Sequence, residues 1–181
     1  VLVVMAAHQG DPWKIVSFSL YGTSLLLLFV FSTLYHSLRG KAKTVFRKLD
    51  HQAIYFLIAG TYTPFALVTL RGGWGWSLFG VIWGLAIFGI VLDSCPRTGP
   101  RILPMVIYLV MGWLVLIALH PLLQTLPLAG VVWLVVGGLF FTVGIVFYAA
   151  DSRLRHAHGI WHVFVLTGSA THYLAIFFYV A

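Results

Sequence analysis

Apolar residues fill most of this chain in long blocks, and short clusters of proline, glycine and charged residues separate the blocks. A helix that crosses a lipid bilayer needs about 20 consecutive, mostly apolar residues. The pattern therefore predicts full membrane-spanning helices over residues 16–38, 52–70, 75–92, 102–119, 129–149 and 158–180.

The chain starts with a short apolar segment, residues 1–7, and a turn follows from His8 to Pro12. Pro12 suits the first position of the next helix, because the N–H group that proline lacks would have no helical partner there. The segment has neither the charged leading region nor the small-residue cleavage site of a signal peptide. We expect an all-α fold, a polytopic integral membrane bundle of seven helices whose first helix is truncated in this sequence, forming a single domain over residues 1–181.

The composition supports a membrane protein and excludes a water-soluble globule. Apolar residues make up 61% of the chain and charged residues 8%, whereas a soluble domain has roughly 45–50% apolar and about 25% charged residues. The net charge is +7, but membrane proteins usually carry such a surplus in short loops on one side, so nucleic-acid binding is not expected. The single cysteine, Cys95, excludes an intrachain disulfide and a cysteine-based metal cluster.

The basic residues predict the orientation of the chain. Lys14 and Arg71 lie on one side of the predicted helices. The opposite side carries nine basic residues: Arg39, Lys41, Lys43, Arg47, Lys48, Arg97, Arg101, Arg153 and Arg155. Because loops rich in Lys and Arg stay in the cytoplasm, we expect a cytoplasmic N-terminus and an external C-terminus. Three tryptophans at the outer boundary fit an aromatic belt: Trp13, Trp74 and Trp76.

Four ionisable residues on three predicted helices lie at one level, near the cytoplasmic side: His36, Asp50, His158 and His162. Ser32 lies four residues deeper than His36, on the same helix face. The spacing of His158 and His162 places two imidazoles about 6 Å apart on one helix face, which suits a zinc ion. His36 would add a third nitrogen. Three protein ligands with an open fourth position are typical of a catalytic zinc site.

Asp50 and Ser32 fit roles beside such a metal. Asp50 would be a fourth ligand or would accept a hydrogen bond from a metal-bound water, and Ser32 would bond to that water or to a substrate carbonyl. Each motif also has a simpler interpretation: the histidine pair as interfacial residues, Asp50 as the cap of the third helix, and Ser32 as a packing residue. The shared depth favours the metal site, because ionisable groups within a membrane are costly and usually functional.

The remaining histidines and glycines are expected to have structural roles. His172 should face the bundle interior, mainly as a packing residue. The other histidines are expected at solvated interfaces: His8, His51, His120 and His156. The basic loop from Arg39 to Lys48 should set the topology and could also contact anionic headgroups. Four glycines should permit close helix packing: Gly80, Gly84, Gly137 and Gly138.

Three motifs together resemble a known family. They are Ser32-Thr-Leu-Tyr-His36, then Asp50 after a short basic segment, and His158-Gly-Ile-Trp-His162 followed by His172-Tyr173. Their order and spacing resemble the haemolysin III proteins, the bacterial branch of the progestin and adipoQ receptor family, and are similar to the pattern of alkaline ceramidases. The family's first helix, with its polar Glu, Asn and His positions, is missing here apart from its last residues.

The resemblance implies a seven-helix bundle with a cytoplasmic N-terminus and an intramembrane Zn²⁺ near the cytoplasmic leaflet. By position, His36, His158 and His162 correspond to the zinc ligands, Asp50 to the residue linked to zinc through water, and Ser32 to the nearby serine. A bacterial inner membrane is the expected location.

Three functions are consistent with this pattern of residues. The first is a zinc-dependent membrane hydrolase that cleaves a lipid amide or ester, with Asp50 and Ser32 as catalytic residues. The second is a pore-forming cytolysin, although residues 131–150 carry few hydrogen-bonding side chains for a pore lining. The third is a receptor-like regulator that senses membrane lipids. Membrane lipids are the expected partners in each case, and the oligomeric state is left open.

Overall fold

The computed structural model describes residues 1–95 and 101–181 of the chain. Within these ranges the ordered elements are helices, and no strand is present. In chain order the α-helices are α1 (Leu2–Gln9), α2 (Pro12–Ser37), α3 (Gly40–Pro64), α4 (Gly73–Ser94), α5 (Ile102–Trp113), α6 (Leu119–Thr125), α7 (Leu128–Ala149) and α8 (Ala157–Tyr179). A π-helical turn, Phe65–Thr69, follows α3, and a 3₁₀ turn, Leu114–Ala118, follows α5.

Six helical segments of the described chain are long and apolar enough to cross a membrane: Pro12–Ser37, Gly40–Thr69, Gly73–Ser94, Ile102–Thr125, Leu128–Ala149 and Ala157–Tyr179. Each of them overlaps one predicted span. The outward-facing positions are apolar, as Leu26, Ile87 and Val163 illustrate with exposed fractions of 63%, 59% and 63%. Large apolar side chains so exposed require a lipid environment. The chain is therefore an all-α, polytopic integral membrane protein, as the sequence predicts.

The described residues group into two compact units, Val1–Ala118 with α1 to α5 and Leu119–Ala181 with α6 to α8. Arg97, one of the nine basic residues assigned to the cytoplasmic side, lies outside the described residues.

In the first unit, the junction of α1 and α2 follows from local chemistry. Gly10 ends α1 in the left-handed conformation with φ of 68°, which glycine adopts without a steric cost. Asp11 caps α2: its Oδ1 accepts hydrogen bonds from the backbone N–H groups of Trp13 and Lys14 at 2.9 and 3.3 Å. Pro12 occupies the first helical turn, as predicted. The predicted turn is confirmed.

Helix α3 begins earlier than the sequence predicts, because the basic segment expected as a loop is helical from Gly40 onward. Lys, Arg and Ala have high helix propensity, and no proline interrupts the segment. Asp50 is consequently well inside α3, so the interpretation of Asp50 as a helix cap is wrong. His51 is likewise half-buried in mid-helix, and its carbonyl accepts a 3.2 Å hydrogen bond from Tyr108 Oη. Its placement at a solvated loop edge is therefore wrong.

Helix α3 is the most buried span of the described chain. It packs along α2 at Gly60, where an added Cβ would collide with the side chain of Ser24. Further along, the Tyr62 hydroxyl satisfies the backbone where α5 passes into its 3₁₀ turn. It accepts a 2.9 Å bond from the Val115 N–H and lies 2.8 and 2.9 Å from the carbonyl oxygens of Met111 and Gly112.

The aromatic belt predicted for one boundary has a local counterpart in the first unit. The rings of Trp13 and Trp76 meet edge to face at 5.8 Å, and the Arg71 guanidinium lies 5.4 Å from the Trp13 ring. Trp13, Trp74 and Trp76 are all exposed. Amphipathic rings in this arrangement suit the headgroup layer.

The second unit is built on the close packing of α7 and α8. His172 is held between them: its Nε2 lies 3.1 Å from the Leu134 carbonyl oxygen, and its ring packs 5.5 Å from the Phe141 ring. Gly137 faces the same ring, and an added Cβ there would collide with His172. The expectations of packing roles for His172 and Gly137 are confirmed. Gly80 and Gly84 differ, because an added Cβ would meet no described atom within 4 Å, so their predicted packing role is wrong.

Candidate metal centre

The first two turns of α8 carry the predicted histidine pair. The rings of His158 and His162 lie 4.7 Å apart, centroid to centroid, at an interplanar angle of 81°. The i, i+4 spacing puts both rings on one helix face. His156 forms the N-cap of this helix with φ of 66° and is exposed, which agrees with its predicted interfacial position.

Asp151, in the turn that joins α7 to α8, contacts the first histidine of the pair. Its Oδ2 lies 3.2 Å from Nδ1 of His158. A carboxylate oxygen accepts hydrogen bonds, so Nδ1 is the donor. In a neutral imidazole this leaves the lone pair of Nε2 for a metal. Sequence reasoning missed Asp151. The available signal was its rarity, since the chain has four acidic residues in all.

His36 lies in the last turn of α2. Its Nδ1 is 2.8 Å from the carbonyl oxygen of Ser32, so Nδ1 is again the donor and Nε2 carries the lone pair. The Tyr35 ring packs 4.5 Å from the His36 ring, and Lys43 Nζ lies 5.2 Å from the Tyr35 ring centroid. Ser32 thus contacts His36 through its backbone, and the predicted role of its side chain stays a prediction.

Asp50 is a buried acidic residue, with 8% of its surface exposed. It precedes His51, whose ring lies 6.4 Å from the Tyr35 ring that also packs against His36. Asp50 is therefore a buried carboxylate on the helix that packs along α2. Its predicted contact with a metal-bound water stays a prediction.

Three of the predicted residues form a group with the geometry of a metal site. One ring nitrogen each of His36, His158 and His162 lies within 4.8 Å of the other two. Nitrogens bound to one tetrahedral zinc ion lie about 3.4 Å apart, given Zn–N bonds of about 2.0–2.1 Å. Three imidazoles are also a donor set that suits zinc, copper, iron or nickel. The residues present therefore fit a metal ion, and the three histidines could hold one.

Comparison with known proteins agrees with the resemblance drawn from the motifs. The profile of the family described as Haemolysin-III related matches residues 1–173. The chain is 43% identical to Hemolysin-3 of Bacillus cereus over 181 residues, which cover 99% of this chain and 82% of that protein. It is 45% identical to the Hemolysin-3 homolog of Bacillus subtilis (strain 168) over 179 residues, covering 98% of this chain and 84% of that protein.

A more distant relative is the Monocyte to macrophage differentiation factor of Homo sapiens. It is 31% identical over 177 residues, which cover 94% of this chain and 73% of that protein. No solved protein structure matches the chain. A family profile that spans nearly the whole chain, together with relatives above 40% identity, shows that this chain belongs to the haemolysin-III related family of membrane proteins.

Proposed function

We propose that this protein is a zinc-dependent membrane hydrolase that cleaves an amide or ester bond of a lipid. The observation that carries the proposal is the group of three histidines with ring nitrogens within 4.8 Å of one another. Three imidazole ligands leave a coordination position open, as in catalytic zinc sites, whereas structural zinc normally has four protein ligands.

His36, His158 and His162 would hold the metal through their ring nitrogens. When bound, zinc supplies Lewis acidity that polarises a carbonyl and lowers the pKa of water toward neutrality. Two of the three rings are oriented by hydrogen bonds within the protein. The Ser32 carbonyl accepts from Nδ1 of His36, and the Asp151 carboxylate accepts from Nδ1 of His158. Ligands held in advance lose less conformational freedom on binding.

Asp50 would act as the general base. A carboxylate buried within a spanning helix is costly unless it has a function, and Asp50 is 92% buried. It would accept the proton of the attacking water and return it to the leaving group. The Ser32 hydroxyl would hydrogen-bond the substrate oxygen on which negative charge develops.

The substrate class follows from the surroundings. The spanning helices expose apolar side chains outward, so a substrate that reaches the site from the bilayer must itself be a lipid. The charge asymmetry of the chain supports a site on the cytoplasmic side of a bacterial inner membrane.

Two measurements on purified protein in detergent test the proposal. The wild type should contain about one zinc per chain, and a His158→Ala, His162→Ala double variant should contain none. Asp50→Asn should keep its zinc but lose at least about 100-fold in turnover of a lipid amide or ester, the usual contribution of a general base. Asp93→Asn is the matched control, because Asp93 is a carboxylate paired with Arg101 at 2.7 Å. Zinc-free wild type, or full turnover by Asp50→Asn, would refute the proposal.

The names of the Bacillus relatives raise a second function, that of a haemolysin. A monomeric pore needs polar side chains along its helices, yet in α7 the Thr142 hydroxyl donates to the Gly138 carbonyl of the same helix at 2.7 Å. Ion flux through sealed liposomes at low protein density would favour the haemolysin. A lower Tm after zinc removal without any turnover would instead favour the receptor-like regulator.

A further inference from the structure

The turn between α7 and α8 has a defined backbone. The N–H groups of Arg153 and Leu154 both donate to the Ala150 carbonyl at 2.9 Å, and the Ala157 N–H donates to the Leu154 carbonyl at 3.2 Å. His156 closes the turn in the left-handed conformation, with φ of 66°. Asp151 precedes His158 by seven residues, and this turn brings its side chain against the His158 ring.

The contact has a chemical direction. Asp151 Oδ2 lies 3.2 Å from Nδ1 of His158, and an ionised carboxylate only accepts hydrogen bonds. The proton of the neutral ring therefore sits on Nδ1, and Nε2 presents a lone pair. A carboxylate in this position also makes the ring a more basic ligand and holds its orientation.

We propose that Asp151 is a positioning residue for the metal site: it selects the tautomer and orientation of His158 that allow Nε2 to bind the metal. This inference rests on the proposed function, because it needs a metal at the three histidines. Asp151 does not touch the metal or substrate in this scheme and acts only through His158.

A merely structural contact makes a different prediction. The side chains of Asp151 and His158 are 46% and 32% exposed, and exposed ion pairs contribute little to the stability of a fold. If the contact were only a surface pair, its loss would leave metal affinity unchanged. If Asp151 orients the ligand, its loss should weaken metal affinity about 10-fold to 100-fold, the usual effect of losing such a partner.

The test is zinc affinity of the purified full chain in detergent, measured by competition with a fluorescent chelator. Asp151→Asn should bind zinc 10-fold to 100-fold more weakly than the wild type. Asp151→Glu, which keeps a carboxylate, should recover most of that loss. Asp93→Asn removes a carboxylate that pairs with Arg101 and should bind zinc like the wild type. Equal affinity of Asp151→Asn and wild type would overturn the inference.

A double-mutant cycle shows whether Asp151 acts through His158. In a His158→Ala background, adding Asp151→Asn should change the residual zinc affinity less than 2-fold. A full 10-fold loss in that background would show a general effect on the fold and would also overturn the inference. Circular dichroism of the metal-free variants checks folding. The two proposals fail separately, since zinc-free wild type refutes the metal site itself, whereas zinc-loaded wild type with an unaffected Asp151→Asn refutes only the role of Asp151.

Discussion

The Tyr62 hydroxyl provides a quantitative test of how this chain satisfies its backbone within the membrane. Tyr62 is 8% exposed. Its oxygen accepts from the Val115 N–H at 2.9 Å and lies 2.8 Å from the Met111 carbonyl oxygen. These backbone groups lie where α5 gives way to the 3₁₀ turn Leu114–Ala118, and the regular helical hydrogen bonds are interrupted there.

Tyr62→Phe removes the hydroxyl group and leaves the shape of the side chain otherwise unchanged. The variant loses one accepted and one donated hydrogen bond, each worth about 1 kcal/mol net, and leaves buried backbone groups that cost about 1–3 kcal/mol when unpaired. Relaxation of the turn offsets part of that cost, so we expect the free energy of unfolding to fall by about 2 kcal/mol. Water is absent from the bilayer core and cannot replace the lost partner.

The assay is reversible unfolding in mixed detergent micelles, combined with amide hydrogen exchange. Exchange at Leu114–Ala118 should increase in Tyr62→Phe, because the Val115 N–H loses its acceptor. Tyr173→Phe is the matched control, since the described chain offers the Tyr173 hydroxyl no hydrogen bond and its ring stacks on Phe177 at 6.2 Å. Loss of less than about 0.5 kcal/mol, the usual effect of a neutral surface change, would refute the reasoning.

Two further predictions concern packing and lipid binding. Gly137→Ala should destabilise the protein by about 1–3 kcal/mol, because the new Cβ would collide with the His172 ring. Gly84→Ala should be neutral or stabilising, because a Cβ at Gly84 meets no described atom within 4 Å. Equal Tm values for the two variants would contradict this prediction. The basic segment exposes Arg39, Lys41, Lys43, Arg47 and Lys48, and neutralising the three lysines should weaken binding of an anionic phospholipid by about 1 kcal/mol per charge. Native mass spectrometry of lipid-loaded protein measures this, with Lys14→Gln as the control, and unchanged binding would contradict the prediction.

The pattern of apolar and polar residues is enough to assign the class of the protein and to locate its spans. A long apolar block can pair its backbone groups in a bilayer only as a helix, so all six spans were predictable, although the third begins at Gly40, twelve residues before its predicted start at 52. The pairing of His158 with His162 was equally predictable, because i, i+4 spacing on a helix is a local property. The family was also recognisable, because the order and spacing of its motifs are properties of the sequence itself.

Contacts between residues that are distant in the sequence depend on the folded chain. The contact of Asp151 with His158 depends on a turn in which His156 adopts a positive φ. This conformation is uncommon for a non-glycine residue, so the sequence does not predict it. Gly137 and Gly84 look alike in sequence, yet one faces a histidine ring and the other faces open space. Depth along a helix follows from counting residues, but the grouping of three ring nitrogens within 4.8 Å of one another cannot be read from any local pattern.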